Sequence, residues 1–144
     1  MAFFNYTTTI KANKTVSEIQ ELLSSKGAKK IMLDYDENKL ISQLSFCINH
    51  NGNDIHFILP SNWQGVLRAL KKHKVAKKYQ TEEHAINVCW RIIRTWLLSQ
   101  IAIIESGQID LPTLFIHSAI MKNGRTVADN FLNESEGVQL LMLN

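Results

Sequence analysis

The chain has 144 residues and a formal net charge of +3, with 45% hydrophobic and 20% charged residues. This length suits one independent domain, and the composition is far from the low hydrophobicity of disordered chains. The N-terminus lacks the pattern of a secretory signal and the apolar runs are too short to cross a bilayer, so we expect one soluble domain, residues 1–144, in the cytoplasm.

The N-terminal part of the chain predicts a strand followed by a helix. Residues 3–11 are rich in Phe, Tyr and Thr and alternate weakly, which is typical of a strand with one half-buried face. Thr15 and Glu18 have the spacing of a capping box, which predicts a helix over residues 15–26. Gly27 is expected to end this helix.

Three strands are predicted next. Apolar residues recur at every second position over residues 30–35, 40–49 and 55–59, and polar turn residues separate these segments. The pattern predicts an antiparallel meander. We expect the N-terminal strand to join this sheet after the helix crosses one of its faces.

Two helices follow the meander. Ser61 or Asn62 is placed to cap a helix that runs to about Lys72. Thr81 is a suitable N-cap for a much longer helix, residues 81–106, in which apolar side chains cover nearly the whole circumference. About 25 residues at 1.5 Å each make a rod of roughly 37 Å, so this helix is expected to span the sheet or enter a dimer interface.

The C-terminal part predicts short helices and an apolar tail. Asp110 followed by a proline predicts a helix over residues 112–122, and Thr126 is placed to start another that ends near Leu132. The apolar tail, residues 138–143, is expected to dock as an edge strand or a helix, on its own chain or on a partner. The fold class is therefore α+β: a small antiparallel sheet against a long, mostly buried helix, with additional C-terminal helices.

A polar stripe on the long helix is the sharpest candidate for a site. His84, Asn87, Arg91 and Arg94 are three, four and three residues apart, which places them along one narrow face. Buried guanidiniums need anionic partners. Carboxylates of the same chain are the commoner partners, and the candidates are Asp34, Asp36 and Asp110; the alternative is a phosphate-bearing ligand held by the same fork geometry.

A basic stretch supplies the other candidate residues. No acidic residue lies between Asp54 and Glu82, whereas this interval contains Arg68, Lys71, Lys72, Lys74, Lys77 and Lys78. The stretch is either a solvated face or a positive rim that steers phosphates. Tyr79 is the accessible aromatic beside it. The predicted ligand-binding residues are thus Arg91, Arg94, Asn87, His84, Lys71, Lys72, Lys77, Lys78 and Tyr79.

Catalytic, metal and cofactor chemistry have little support in the sequence. Cys47 and Cys89 each lie in an apolar run, as buried free thiols do. The five histidines show no ligand spacing, and phosphate-loop, dinucleotide-binding and nucleophile-elbow motifs are missing. Trp63, Trp90 and Trp96 could stack a base, although their aliphatic surroundings favour core packing for the last two. We expect a protein that is not an enzyme and uses neither metal nor cofactor.

Several segments resemble small uncharacterised proteins encoded in phage and prophage genomes. The segments are TTTIKA (7–12), TVSEIQ (15–20) with Gly27 and Ala28, VCWRIIRTW (88–96) and QIAIIESG (100–107), and the resemblance spans roughly residues 6–132. It transfers no functional residue. It implies a compact accessory protein acting inside a bacterial cell, where such proteins bind nucleic acids, host proteins or nucleotide immune signals.

These observations lead to three functional hypotheses. The first is a homo-oligomeric phage protein that binds an anionic nucleotide-type ligand and sequesters a host immune signal, with the stripe of one chain facing Lys71 to Lys78 of another. The second is nucleic-acid binding, with the lysine-rich loop along the backbone and Tyr79 or Trp63 stacking on bases. The third is inhibition of a host protein through the apolar tail, residues 138–143.

Overall fold

A computed structural model describes residues 3–142, in which six α-helices and one three-stranded sheet confirm the α+β class. Two short 3-10 helices, Lys77–Tyr79 and Ile116–Ser118, complete the regular structure of this part of the chain. The α-helices and strands, in chain order, are α1 Ala12–Ser25, β1 Lys30–Tyr35, β2 Ile41–His50, β3 Asn53–Ile58, α2 Trp63–Lys72, α3 Glu82–Glu105, α4 Leu111–Phe115, α5 Val127–Leu132 and α6 Ser135–Leu141.

The meander forms as predicted. Its strands are antiparallel in the order β1-β2-β3, with Leu33 opposite Leu44 and Phe46 opposite Phe57 on the face that packs on the helices. Past β3, the Ile120 N–H donates to the His56 carbonyl at 2.8 Å, so a short extended segment covers part of that edge. β1 is the opposite edge of the sheet.

The predicted N-terminal strand is wrong. Residues 4–7 form turns and residues 8–11 have no regular structure; the Tyr6 N–H donates to the Phe3 carbonyl and the Thr8 N–H to the Asn5 carbonyl. The aromatic and β-branched composition favours a strand only where a sheet edge is there to pair with it. This segment instead runs past the N-terminal end of α3, where the Tyr6 ring meets Tyr79.

The predicted capping box is also wrong. The helix α1 begins at Ala12 rather than Thr15, and Thr15 is fully buried one turn inside it. Its N-cap, Lys11, makes no side-chain cap hydrogen bond. A side chain from α3 takes over this role, since Asn87 Oδ1 accepts from the Ala12 N–H at 2.8 Å.

The helix starts predicted for the rest of the chain are confirmed. Asn62 Oδ1 accepts from the Gly65 N–H at 3.0 Å, Thr81 Oγ1 from His84 N–H at 3.1 Å, and Thr126 Oγ1 from Asp129 N–H at 3.1 Å. Each cap lies within three residues of the group that it satisfies, and this is why local sequence predicts it.

The core lies between the helical face of the sheet and α3. Trp90 and Leu97 are 1% and 0% exposed, which confirms core packing for Trp90. Trp96 is half-buried and meets the Phe115 ring edge to face at 5.4 Å, and Trp63 packs against the margin of the core. The all-round burial expected of α3 does not extend to its second half, where Leu98 and Ser99 are exposed. Among residues 3–142, no helix is long and apolar enough to span a membrane.

The C-terminal part departs from the prediction in two ways. The helix expected over residues 112–122 is shorter, because α4 passes into a 3-10 turn and Ala119 pairs with β3. The tail forms α6, which packs on α5, yet Leu140 and Met142 are 77% and 64% exposed. The tail is therefore helical without covering its apolar side chains on this chain; its last predicted residue, Leu143, lies outside the described residues.

Candidate anion-binding site

The first half of the polar stripe is bound to the N-terminal segment. His84 Nε2 lies within hydrogen-bond distance of the Tyr6 carbonyl, and because a carbonyl only accepts, this ring nitrogen carries the proton. Asn87 Oδ1 caps α1 at Ala12. Both side chains therefore hold a segment more than 70 residues away in the sequence.

The second half of the stripe is bound to α1. Arg91 Nη1 donates to Glu18 Oε2 at 3.1 Å, and the Arg94 Nε contacts the same oxygen. The Arg94 N–H is buried and does not point at that oxygen as a hydrogen bond requires, so this contact is an ion pair only. The three side chains are between 16% and 32% exposed. Two guanidiniums thus share one carboxylate, and the cluster keeps one net positive charge.

None of the carboxylates predicted to face the arginines does so. Asp34 accepts from Gln43 Nε2 at 3.1 Å, and Asp36 Oδ1 accepts from two backbone N–H groups of its own turn. Asp110 caps α4, and hydrogen bonds from the side chain and backbone of Thr113 lower the pKa of its carboxyl. The sequence predicted that the arginines needed an anion but could not identify Glu18.

The predicted basic stretch is exposed and unpaired. It covers the second half of α2, the following loop and the 3-10 helix. Within residues 3–142 none of its cationic side chains forms an ion pair. They are all exposed: Arg68, Lys71, Lys72, Lys74, Lys77 and Lys78. Since no carboxylate neutralises them, this basic surface carries a positive field into solvent.

A small polar notch lies where the basic surface meets the start of α3. Its volume is about 180 Å³, and it brings together three of the predicted site residues, Lys78, His84 and Asn87. Its other lining residues are Lys11, Thr81 and Glu83. Lys11 and Glu83 form an exposed ion pair at 3.4 Å. Larger hollows lie on the sheet and at α5 and α6, away from these side chains.

Asn87 presents an unused donor to this notch. Because the Ala12 N–H requires an acceptor, it fixes the orientation of the Asn87 amide and directs Oδ1 at α1. The residue is 7% exposed, and its Nδ2 donates to no group of the described chain. Among the described residues only Arg94 Nε is both buried and without a hydrogen-bond partner, so Asn87 Nδ2 reaches the solvent of the notch, where it can donate to water or to a ligand.

The start of α3 adds further donors. The Thr81 hydroxyl satisfies the His84 N–H, which leaves the N–H groups of Glu82 and Glu83 without intrahelical acceptors. These groups and the dipole of a 24-residue helix favour a bound anion, and the two first-turn carboxylates offset part of that field.

Tyr79 is less available than the sequence suggested. Its ring is half-buried and meets the rings of Tyr6 and His84 at centroid distances of 5.4 and 5.0 Å. Lys78 Nζ lies 5.0 Å from the same ring, an arrangement that holds the ammonium beside the notch. Tyr79 therefore positions Lys78 and His84, and only part of its surface stays accessible.

Apart from Tyr79, which packs on His84 but does not line the notch, the predicted residues separate into three groups. Lys78, His84 and Asn87 line the notch, whereas Arg91 and Arg94 lie farther along α3 against Glu18. The other predicted lysines of the basic surface, Lys71, Lys72 and Lys77, do not line the notch. Sequence reasoning missed Lys11, because the turns that fold the N-terminal segment back onto α3 leave no periodic signal, and it identified Thr81 only as the N-cap of α3.

The two thiols are structural. Cys47 and Cys89 are free and buried, and burial raises the pKa of Cys89 to about 11, so this thiol stays protonated at neutral pH. Within residues 3–142, no three His, Cys, Asp or Glu side chains converge as a metal ion would require.

No protein-family model, curated protein sequence or solved structure matches this chain.

Proposed function

We propose that this chain is a non-enzymatic binding protein for an anionic, nucleotide-type ligand whose phosphate group enters the notch between Lys78, His84 and Asn87. The observation that carries the proposal is the Nδ2 of Asn87, which donates to no group of the described chain and lies in a polar notch with the unpaired ammonium of Lys78. The donors of the notch converge on a space of phosphate size, and the basic surface attracts the ligand from a distance.

The volume of the notch limits how the ligand binds. Pockets that enclose a drug-sized ligand hold roughly 300–1,000 Å³, well above the 180 Å³ of this notch. A phosphate group fits, and a whole nucleotide does not. The sugar and base would therefore lie outside, over Tyr79 and the rim formed by Lys71, Lys72 and Lys77. In this proposal Arg91 and Arg94 fix α1, and hence Lys11, against the site rather than contact the ligand.

The resemblance to phage and prophage proteins suggests the biological role within this proposal. A binder without catalytic groups removes its ligand from solution in proportion to its own concentration. We therefore propose that the ligand is a nucleotide immune signal of the host bacterium and that the protein sequesters it in the cytoplasm.

Calorimetric titration with cyclic di- and trinucleotides and ADP-ribose derivatives tests the ligand class. The Lys78→Glu variant should lower the affinity at least about tenfold, because it replaces the unpaired ammonium of the notch with a like charge for the phosphate. The Lys122→Glu variant is the matched control: it makes the same charge change at an exposed residue outside the notch. The absence of heat with every compound, or equal losses in the two variants, would refute the proposal.

Nucleic-acid binding is a second candidate, favoured by the unpaired basic surface. A mobility shift with single- and double-stranded DNA at two salt concentrations distinguishes it, since neutralising several phosphates makes affinity fall steeply with salt. A variant with both Lys71→Glu and Lys72→Glu that loses DNA binding but keeps nucleotide binding would assign DNA to the basic surface and the nucleotide to the notch. A salt-independent shift would contradict this candidate.

Inhibition of a host protein is a third candidate, favoured by α5 and α6. Leu132, Leu140 and Met142 are 60%, 77% and 64% exposed within one short segment, and contiguous exposed apolar surface marks interaction sites. Copurification from a bacterial lysate, with Leu140→Asp compared against the intact chain, tests it. A specific partner that the aspartate variant still retains would exclude this surface as the contact.

A further inference from the structure

The strand β1 is an open edge of the sheet. In the strand order β1-β2-β3 it pairs with β2 alone, whereas the opposite edge, β3, is partly covered through Ala119. The outward N–H and C=O groups of β1 therefore have no partner strand among residues 3–142. Such an edge is a template for another strand unless something blocks it. β1 contains no proline, and within residues 3–142 its main contacts are with β2.

The side chains of β1 are self-complementary. Lys30, Met32 and Asp34 alternate along the open face of the sheet, and Ile31 and Leu33 lie between them on the helical face. The cation and the carboxylate are each two residues from Met32. A two-fold axis through Met32 therefore places each Lys30 opposite an Asp34 of the other copy.

We propose that β1 is the interface of a homodimer, in which the β1 strands of two copies pair antiparallel with Met32 opposite Met32 and the two sheets form one six-stranded sheet. This proposal does not depend on the ligand site, which is at the start of α3. The interface is isologous, so it closes after two chains and does not propagate.

The charges on the open face favour a second copy as the partner. Lys29, the neighbour of this strand, is already paired with Asp54 at 2.8 Å, but Lys30 has no ion pair within the described residues. Asp34 Oδ2 accepts from Gln43, which leaves its other oxygen free. In the dimer each copy supplies both the unpaired cation and the available carboxylate. Opposite charges across a pair of strands stabilise it, and like charges destabilise it.

The register follows from the same residues. A shift of one residue would place core-facing side chains on the open face. A shift of two residues sets Met32 against Lys30 or Asp34 and breaks the symmetric charge pairs. Only the register centred on Met32 pairs the segment Lys30 to Asp34 of one copy with the same segment of the other. The paired segment ends before the irregularity between Asp34 and Tyr35.

Burial supports the same interface. Met32 is 63% exposed, and the core-facing residues Ile31 and Leu33 are only half-buried, although both pack against the core. A groove of about 520 Å³ begins at β1, where Met32 lines it, and extends across Cys47 of β2 to His56 of β3. A second β1 would cover Ile31 and Leu33 from the side and would place its own Met32 against the exposed Met32 of the first copy.

A charge-swap series measured by sedimentation equilibrium tests the pairing. The intact chain should form a dimer, and Lys30→Asp or Asp34→Lys should each raise the dimer Kd about tenfold or more, because each creates two like-charge pairs. The double variant K30D/D34K should return the Kd to within about threefold of the original, since it restores both opposite-charge pairs. Glu21→Lys, an exposed charge reversal on α1, should leave the Kd unchanged.

A chain that stays monomeric at every concentration, or single variants that leave the Kd unchanged, would overturn the proposal. So would a double variant no better than the single ones. Oxidation of a Met32→Cys variant provides an independent measurement if a charge variant fails to fold. Directly paired residues lie close enough for an intermolecular disulfide, whereas Tyr35→Cys, equally exposed on the same strand, is separated from its counterpart by about 20 Å. A Tyr35→Cys dimer with no Met32→Cys dimer would exclude this register.

Discussion

Two regions of the molecule differ in how their side chains are satisfied: the contact between α1 and α3, and the C-terminal pair of helices α5 and α6. Along α3, polar groups that burial would penalise are bound by one short segment: Tyr6, Ala12 and Glu18 meet His84, Asn87 and the two arginines. In α5 and α6 the apolar side chains remain in solvent. The first region pairs its polar groups within one chain, whereas the second leaves apolar side chains exposed.

The difference separates stability from interaction. Buried polar groups require partners of defined geometry, and α1 supplies them, so removing one of these partners should destabilise the domain. The exposed apolar groups of α5 and α6 contribute little to the fold of this chain, and they are free to stabilise a complex. The following predictions compare the two regions.

The same substitution in each region should give the largest contrast. Leu97 in α3 is fully buried, so Leu97→Ala should reduce the free energy of unfolding by about 2–5 kcal/mol through lost burial and the cavity left behind. Leu140→Ala in α6, where the side chain is 77% exposed, should change it by no more than about 0.5 kcal/mol. Urea unfolding of both variants measures this. Equal losses would show that α6 is part of the core.

Removal of the shared carboxylate should give the next largest effect. Glu18→Ala leaves Arg91 and Arg94 without their anion in a half-buried contact, and we expect a loss of about 1–3 kcal/mol in thermal or urea unfolding. Glu21→Ala, one turn later on the exposed side of α1, is the control and should be nearly neutral. Equal losses of unfolding free energy in the two variants would show that the ion pairs of Arg91 and Arg94 with Glu18 do not stabilise the fold.

A methyl group at Gly137 should disrupt the C-terminal pair locally. An added Cβ would lie 2.4 Å from the Phe131 carbonyl oxygen and 2.6 Å from its Cα, both backbone atoms. Gly137→Ala should therefore separate α6 from α5, at a cost of about 1–3 kcal/mol to that pair. Hydrogen exchange should speed up in residues 135–141 and stay unchanged in α3. Protection that is unchanged in both would contradict the close approach.

Alanine at Gly65, the other glycine within a helix of the described chain, should stabilise the protein, and this is the smallest of the expected effects. At Gly65 in α2 an added Cβ would lie no closer than 3.5 Å to any atom considered, and the backbone is already helical. Gly65→Ala should raise the free energy of unfolding by about 0.4–1 kcal/mol, because the unfolded chain loses conformational freedom. A destabilised Gly65→Ala would mean that α2 packs more tightly than its contacts indicate.

Two features of the site could be predicted from the sequence, and the rest could not. The spacing of His84, Asn87, Arg91 and Arg94 placed them on one face of α3, and buried arginines implied an anion. Their partners lie more than 70 residues away, at positions that helix periodicity does not relate to α3. The notch is missed for the same reason, since Lys11 reaches it only after the N-terminal turns form.

The sequence by itself determined the meander, the long helix and the caps at Asn62, Thr81 and Thr126, because each depends on side-chain alternation or on a group three residues away. Tertiary structure decided where α1 begins. Thr15 and Glu18 satisfied the local rule for a capping box, but Thr15 packed into the core and Glu18 met two arginines. Asn87 then capped the helix at Ala12. Packing won because local capping is worth only about 1 kcal/mol, less than burying α1 and pairing two guanidiniums.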